Sequence, residues 1–209
     1  MKGRFLVLDG IDGCGKSTQI KHLADWLPVS GLMPKKTKLI ITREPGGTEL
    51  GIALRELLLS TSKNNSPKSI TELLLYAADR AQHVSEIILP ALHNGDWVLS
   101  DRFSGSTLAY QGYGRELNID VINQLEIIAT QGLSPDITFW LDLSLQESMR
   151  RRSMNKNDRI EAEGKSFLAK VLSGFESLGE ERKWIRINAS KDPCQVSREI
   201  ESELKNALI

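Results

Sequence analysis

Residues 10–17 read Gly-Ile-Asp-Gly-Cys-Gly-Lys-Ser and match the pattern G-x-x-x-x-G-K-[ST] at every fixed position. The apolar run 4–9 before them predicts a buried strand, and residues 16–27 carry apolar side chains at helical spacing. A strand, a glycine-rich loop and a helix in this order cradle phosphate, because the loop N–H groups and the helix N-terminus face the anion. The stretch therefore predicts an α/β fold that binds a nucleotide.

The loop consists of a backbone frame and two functional side chains. Gly10, Gly13 and Gly15 permit backbone angles that a Cβ forbids. We expect Lys16 to reach the β- and γ-phosphates and Ser17 to place its hydroxyl on Mg²⁺. The residues expected around the donor phosphates are Gly10, Ile11, Asp12, Gly13, Cys14, Gly15, Lys16, Ser17 and Thr18.

Length and charge narrow the class of protein. The 209 residues suit one domain spanning 1–209, and 27 Lys plus Arg are balanced by 27 Asp plus Glu. This balance argues against a nucleic acid polymer or a membrane surface as partner. The sequence shows no apolar run of ~20 residues and no signal peptide, so we expect a cytoplasmic protein.

The two cysteines, Cys14 and Cys194, lie far apart in sequence and form no disulfide framework, which favours a reducing compartment. Cys14 precedes a helix N-terminus, a position that favours the thiolate, and alkylation there would block the loop. The alternative is that Cys14 only fills a place that needs a small side chain.

Five apolar runs predict buried strands, at 4–9, 38–42, 97–100, 137–142 and 184–187. Amphipathic stretches predict helices at 16–27, 48–59, 67–93, 118–131, 144–152, 162–182 and 192–208. Strands that alternate with helices form a parallel sheet. We therefore expect a three-layer α/β fold of the P-loop NTPase type, with a five-stranded parallel sheet, helices on both faces and a short lid at about 144–161.

Ligands of such sheets bind beyond the carboxyl ends of the strands. The second strand is followed by Thr-Arg-Glu-Pro-Gly-Gly-Thr at 42–48, in which Thr48 is a candidate helix cap. The third strand is followed by Asp101, a candidate Mg²⁺ ligand, and by Arg102, whose planar guanidinium suits phosphate. A plain turn and a surface ion pair are the alternatives.

Two helical positions and one basic cluster also suit a nucleotide. Tyr76 and Arg80 lie one turn apart on the predicted helix 67–93, where a ring can stack on a base and a guanidinium can bond its edge. The alternative for the tyrosine is packing in the core. The three arginines 150–152 form either a solvated face or a lid over the transferred phosphate.

A competing motif stands at 155–158, where Asn-Lys-Asn-Asp matches N-K-x-D, the guanine-binding signature of GTPases. We reject a nucleotide switch, because no buried strand directly precedes the motif and no D-x-x-G follows the third strand. A phosphate-transfer enzyme is the better interpretation.

Five segments, taken in order, resemble the bacterial thymidylate kinases. They are GIDGCGKST at 10–18, TREPGGT at 42–48, LLLYAADRAQH at 73–83, SDRFSGSTLAYQG at 100–112 and DRIE at 158–161. The resemblance covers nearly the whole chain. It implies transfer of the γ-phosphoryl group of ATP to dTMP with Mg²⁺, giving dTDP and ADP for dTTP synthesis, in a homodimer.

The resemblance also implies the roles of individual residues. Arg43 and Arg102 would hold dTMP, Arg102 at its phosphate, and Asp12 would face the acceptor directly or through Mg²⁺. Tyr76 would stack on thymine, and Arg80 would bond its edge. The rest of the pocket for sugar and base would be lined by Ser106, Thr107, Tyr110 and Gln111.

Relatives with glycine at the position of Gly13 supply the catalytic arginine from the lid. Since Met154 stands where some relatives have a basic residue, the role falls to Arg150 or Arg152, and we favour Arg152. The implied catalytic residues are Lys16, Arg102, Arg152 and Asp12, with Ser17 and Asp101 as metal ligands. A P-loop kinase acting on dCMP, UMP or a deoxynucleoside, and a nucleotide-binding module without activity, are the alternatives.

Overall fold

The structure is a computed structural model that describes residues 3–60, 66–152, 159–160 and 163–208. In this part of the chain five strands form one parallel sheet in the order β2-β3-β1-β4-β5. The strands are β1 Phe5–Asp9, β2 Leu39–Arg43, β3 Trp97–Asp101, β4 Ile137–Asp142 and β5 Ile185–Asn188. The predicted sheet is confirmed, and its central strand β1 leads directly into the glycine-rich loop.

Helices connect the strands and cover both faces of the sheet. They are α1 Lys16–Trp26, α2 Glu49–Leu59, α3 Ser69–His83, α4 Leu89–His93, α5 Ser104–Thr107, α6 Ile119–Thr130, α7 Leu145–Arg152, α8 Lys165–Glu181 and α9 Pro193–Leu208. A π-helical turn, Val84–Ile88, joins α3 to α4, and another, Leu108–Gly114, continues α5. None of the helices among the described residues has both the length and the apolar character that a bilayer crossing needs.

The core divides between the two faces because side chains alternate along a strand. Leu6 and Leu8 of β1 belong to the larger cluster, together with buried residues of α1 and α9. Phe5 and Val7 belong to a second cluster with residues of the π-turn Val84–Ile88. These two clusters fix the sheet between its helical layers, which confirms the three-layer architecture.

The lid predicted at about 144–161 is described in part. Its first segment is helix α7, and residues 159–160 are also described. Residues 153–158 and 161–162 lie outside the described part of the chain, and with them Met154, the N-K-x-D match and two residues of the DRIE segment.

Candidate active site

The glycine-rich loop runs from β1 to α1 at the carboxyl edge of the sheet. Gly13 and Gly15 have φ angles of 80° and 101°, in the left-handed region that favours glycine. Lys16 lies across the loop, and its Nζ donates to the carbonyls of Gly10 at 3.0 Å and Ile11 at 3.1 Å. The loop therefore places an ammonium group beside the N-terminus of α1, which is the arrangement that binds phosphate.

Arg102 and Asp12 meet beside this loop. Arg102 has a φ of 73°, and its Nη1 donates to Ser106 Oγ at 2.9 Å while Nη2 donates to Asp12 Oδ1. Tyr110 donates its hydroxyl to the other oxygen, Asp12 Oδ2, at 2.7 Å. Burial alone would raise the pKa of the Asp12 carboxyl, but Arg102 and Lys16 hold it well below its usual range. The ionised carboxylate thus fixes the plane of the Arg102 guanidinium.

An acceptor cavity opens on the other side of this pair. Every residue that the sequence predicted for the sugar and base of dTMP lies on its wall. The lining residues are Asp12, Glu44, Pro45, Arg55, Leu59, Tyr76, Arg80, Arg102, Phe103, Ser106, Thr107, Tyr110, Gln111 and Ile160. Thr107 is 1% exposed, and its Oγ1 has no hydrogen-bond partner among the described residues. Since buried hydroxyls in folded proteins are almost always bonded, this oxygen is suited to a ligand atom.

Arg80 forms one wall of the acceptor cavity and is fixed from behind. Its side chain is buried, Nε donates to Glu44 Oε2 at 2.8 Å, and Nη1 donates to Glu126 Oε1. His83 lies behind Glu44, with Nδ1 2.9 Å from Glu44 Oε1 and Nε2 2.6 Å from Thr42 Oγ1. Burial raises the pKa of the Glu126 carboxyl to about 7, against the opposing effect of Arg80. The guanidinium is therefore oriented before any ligand enters, and His83 supports one of the carboxylates that orient it.

A phosphate cavity lies between the loop and the acceptor cavity. Its walls are Asp12, Gly13, Gly15, Lys16, Ser17, Thr18, Arg43, Glu44, Arg55, Asp101, Arg102 and Arg151. Asp101 Oδ1 is buried without a partner among the described residues, and Ser17 is exposed. A carboxylate and a hydroxyl oxygen suit Mg²⁺, which takes few protein ligands and completes its shell with phosphate and water. The two residues predicted as metal ligands therefore fit that ion.

A donor cavity lies on the outer side of the loop, beside helix α7. It is lined by Gly13, Cys14, Gly15, Thr18, Gln19, Glu147, Arg150, Arg151, Ala189, Ser190, Lys191, Asp192, Pro193 and Val196. Helix α7 is attached to the loop because Ser148 Oγ donates to the carbonyl of Asp12 at 2.7 Å. A Cβ at Gly13 would lie 3.1 Å from Cγ of Arg152, so the glycine lets the lid helix pack against the loop.

The three lid arginines have different environments. Arg150 is 72% exposed beside Glu147, whereas Arg152 is buried against Gly13. Arg151 donates to the carbonyl of Ala189 at 3.0 Å and lines both the donor and the phosphate cavity.

Two contributors to the site, Arg55 and the segment 189–193, were missed in the sequence analysis. Arg55 of α2 lines both the acceptor and the phosphate cavity, and its Nη1 donates to the carbonyl of Pro45 at 2.9 Å. The segment 189–193 after β5 lines the donor cavity together with Arg151, a member of the basic cluster 150–152. The position of 189–193 just beyond a strand was a usable signal.

The expectation of a thiolate at Cys14 is wrong. Cys14 is 2% exposed, and burial raises the pKa of its thiol despite the nearby charge of Lys16. Desolvation outweighs the helix N-terminus here, because the neutral thiol is the form that a dry interior favours. Cys14 therefore fills a small-residue position, which was the alternative interpretation.

Comparison with known proteins agrees with this geometry. The family model described as thymidylate kinase matches residues 8–200. A thymidylate kinase of Prochlorococcus marinus (strain MIT 9313) is 63% identical over 99% of this chain and 95% of its own, and one of Parasynechococcus marenigrum (strain WH8102) is 61% identical over the full length of both. A crystal structure of thymidylate kinase from Ehrlichia chaffeensis superposes with a TM-score of 0.79 at 31% identity, covering 98% of this chain and all of that one. With a match to the family model over residues 8–200 and relatives at 61–63% identity, this chain belongs to the thymidylate kinase family.

Proposed function

We propose that this chain transfers the γ-phosphoryl group of ATP to dTMP, giving dTDP and ADP, the reaction that leads to dTTP. The observation that carries the proposal is the continuity of the cavities: the acceptor cavity reaches the phosphate loop through the Arg102–Asp12 pair. Two bound nucleotides can therefore bring their phosphates together at one point, which is the main requirement for phosphoryl transfer.

The donor side binds ATP through the loop and α1. The base occupies the donor cavity beside 189–193, and the β- and γ-phosphates lie against Lys16 and the N–H groups of the loop. Bound Mg²⁺ supplies charge neutralisation on these phosphates, and Ser17 and Asp101 are the residues that would hold it.

The acceptor side binds dTMP with its base inward. Tyr76 stacks on thymine, and Arg80 and Thr107 bond the edge of the ring. The remaining contacts to sugar and base come from Ser106, Tyr110 and Gln111. Arg102 binds the 5′-phosphate, assisted by Arg43 and by Arg55.

Catalysis by this arrangement requires alignment and charge, not a general base. A phosphate monoester has a second pKa of about 6, so the acceptor is already largely dianionic at neutral pH. Arg102, which Asp12 orients, keeps the attacking oxygen in place, and Lys16 draws charge from the donor. Arg152 is the proposed lid arginine, and Arg151 is a second candidate because it lines the phosphate cavity. Closure of the lid over both nucleotides excludes water from the transferred group.

We also propose that two copies of the chain associate in the cytoplasm. Large apolar side chains are exposed on α2, α3 and α6, and α3 packs against both other helices. The exposed residues are Leu50, Ile52, Leu57, Ile70, Leu74, Ile119, Val121, Ile127 and Ile128. A face of this kind is typical of a surface that a partner covers, and sedimentation of the purified chain tests whether the partner is a second copy.

A coupled assay of ADP release tests the proposed reaction. With ATP and Mg²⁺ present, turnover is measured with dTMP, dUMP, dCMP, UMP and AMP as acceptors. We expect the highest kcat/KM with dTMP and, in Lys16→Ala, a turnover at least ~100-fold lower than that of the wild type. Equal or higher efficiency with dCMP, UMP or AMP would assign the chain to another acceptor.

A further inference from the structure

We propose that Glu72 is a positioning residue that makes the enzyme select thymine over cytosine, by fixing the orientation of the Gln111 amide. The inference rests on the proposed function and deepens it. Glu72 lies on α3, is fully buried, and is absent from the wall of the acceptor cavity, while Gln111 is on that wall. The two side chains meet behind the cavity, where Gln111 Nε2 lies 2.8 Å from Glu72 Oε1.

The chemistry of this contact allows one orientation of the amide. An ionised carboxylate can only accept hydrogen bonds, so Gln111 must turn its NH₂ group towards Glu72. Burial opposes ionisation, yet the pKa of the Glu72 carboxyl is lowered by the cations and the amide around it. Because the nitrogen is held against Glu72, the amide oxygen points away from the carboxylate and is an acceptor that Gln111 can offer to the cavity.

Two arginines hold the Glu72 carboxylate in place, so that it keeps its hydrogen bond with the Gln111 amide. Arg115 donates to both carboxylate oxygens, with Nε at 3.1 Å and Nη2 at 2.9 Å. Arg159 donates Nη2 to Glu72 Oε2 at 2.6 Å and Nε to the carbonyl of Leu58 at 2.8 Å. With four donors on two oxygens, the carboxylate has a fixed rotamer. Arg159 of the DRIE segment therefore has a role in this arrangement, because it holds the Glu72 carboxylate that orients Gln111.

An acceptor at this place distinguishes pyrimidine bases. Thymine and uracil carry N3–H, a donor, whereas cytosine carries an unprotonated N3, an acceptor. The Gln111 oxygen attracts the first and repels the second. A site built to bond one pattern of donors rejects the other strongly, because its buried polar groups are then left unpaired.

The test compares kcat/KM for dTMP, dUMP and dCMP in the wild type and in Glu72→Gln. The new amide can donate to the Gln111 oxygen, so the Gln111 NH₂ can turn towards the base. We expect the dTMP/dCMP ratio to fall by about tenfold or more. The dTMP/dUMP ratio should stay unchanged, since both bases carry N3–H.

Two further variants separate positioning from stability. Glu163→Gln is the matched control, because Glu163 contacts Arg115 at 2.6 Å and takes no hydrogen bond from Gln111; its dTMP/dCMP ratio should equal that of the wild type. In the double variant Glu72→Gln with Gln111→Glu, the amide stands at position 72 and the carboxylate at position 111. The amide donates to one carboxylate oxygen, and the other oxygen again offers an acceptor to the base. The ratio should therefore return towards the wild-type value.

If Glu72→Gln does not fold, Gln111→Met provides the test, because it leaves Glu72 with both arginines and removes only the amide. The ratio must again fall. An unchanged dTMP/dCMP ratio in folded Glu72→Gln, or in Gln111→Met, would overturn the inference. A wild type with no preference for dTMP would instead refute the proposed function.

Discussion

Replacement of Thr107 by valine should stabilise the free protein and weaken the enzyme at the same time. Thr107 is 1% exposed, and its Oγ1 has no partner among the described residues. A buried hydroxyl without a hydrogen bond costs about 1–3 kcal/mol, while valine has nearly the same shape and a similar helix propensity. We therefore expect the free energy of unfolding to rise by about 1 kcal/mol in Thr107→Val, at the low end of that penalty.

The effect on activity has the opposite sign because dTMP supplies the missing partner in the proposed complex. Loss of one hydrogen bond to the base, worth about 1–2 kcal/mol, lowers kcat/KM for dTMP by about tenfold. The stability is measured by urea unfolding of the ligand-free protein, and the efficiency by ADP release at limiting dTMP.

A matched control is the same substitution at Thr48. This threonine is also buried, but its hydroxyl accepts from the N–H of Gly51 at 2.9 Å and caps α2. Its loss should cost about 1 kcal/mol of unfolding free energy. If Thr107→Val destabilises the protein as much as Thr48→Val, or if dTMP is phosphorylated with undiminished efficiency, the assignment of the Thr107 hydroxyl to the ligand is wrong.

Three further predictions concern the loop and its surroundings. Lys16→Ala should lower kcat by at least ~100-fold, or about 2.7 kcal/mol, in steady-state assays, and near-normal turnover would refute its role. Gly13→Ala should lower the melting temperature more than Gly15→Ala, because a Cβ meets Arg152 Cγ at 3.1 Å at the first site and no atom within 4 Å at the second; calorimetry of both variants decides this. Burial raises the pKa of the Asp79 carboxyl to about 6, so the folded protein holds a proton that the unfolded chain releases. The free energy of unfolding should therefore fall by about 2 kcal/mol as the pH rises from about 4 to about 7, and Asp79→Asn should remove this part of the slope.

The periodicity of apolar residues was sufficient to predict the strands and most helices, but not the helical segment after β3. The predicted strands end within one residue of the observed ones, because each is an apolar run that two helical layers cover. The helix that begins at α5 was not predicted, since its residues Ser104–Thr107 and Leu108–Gly114 are rich in glycine and small side chains. Tertiary packing determines the residues of this segment, because a Cβ at Gly105 would lie 2.4 Å from the ring of Trp184, a residue far away in sequence.

The candidate site was predictable where residues directly follow a strand or belong to a motif. Asp101, Arg102 and the glycine-rich loop are of this kind, and they lie together on the phosphate cavity. Arg55 and Glu72 are not, because nothing in the local sequence distinguishes them from other charged residues of amphipathic helices. Their importance depends on which side chains they meet in space, which no local pattern encodes.

The two central arginines of the acceptor cavity, Arg80 and Arg102, are oriented in the same way. Arg80 is oriented by Glu44 and Glu126, and Arg102 by Asp12, so each guanidinium has its plane fixed by carboxylates. Such pairs cost desolvation, and a charged side chain without them would have to be ordered by the substrate instead. Because this cost is met when the protein folds, the arginine side chains lose less conformational entropy when dTMP binds. Glu126, which lies outside the cavity wall, and Asp12 and Glu44, which lie on it, are therefore all part of the binding site because they orient its arginines.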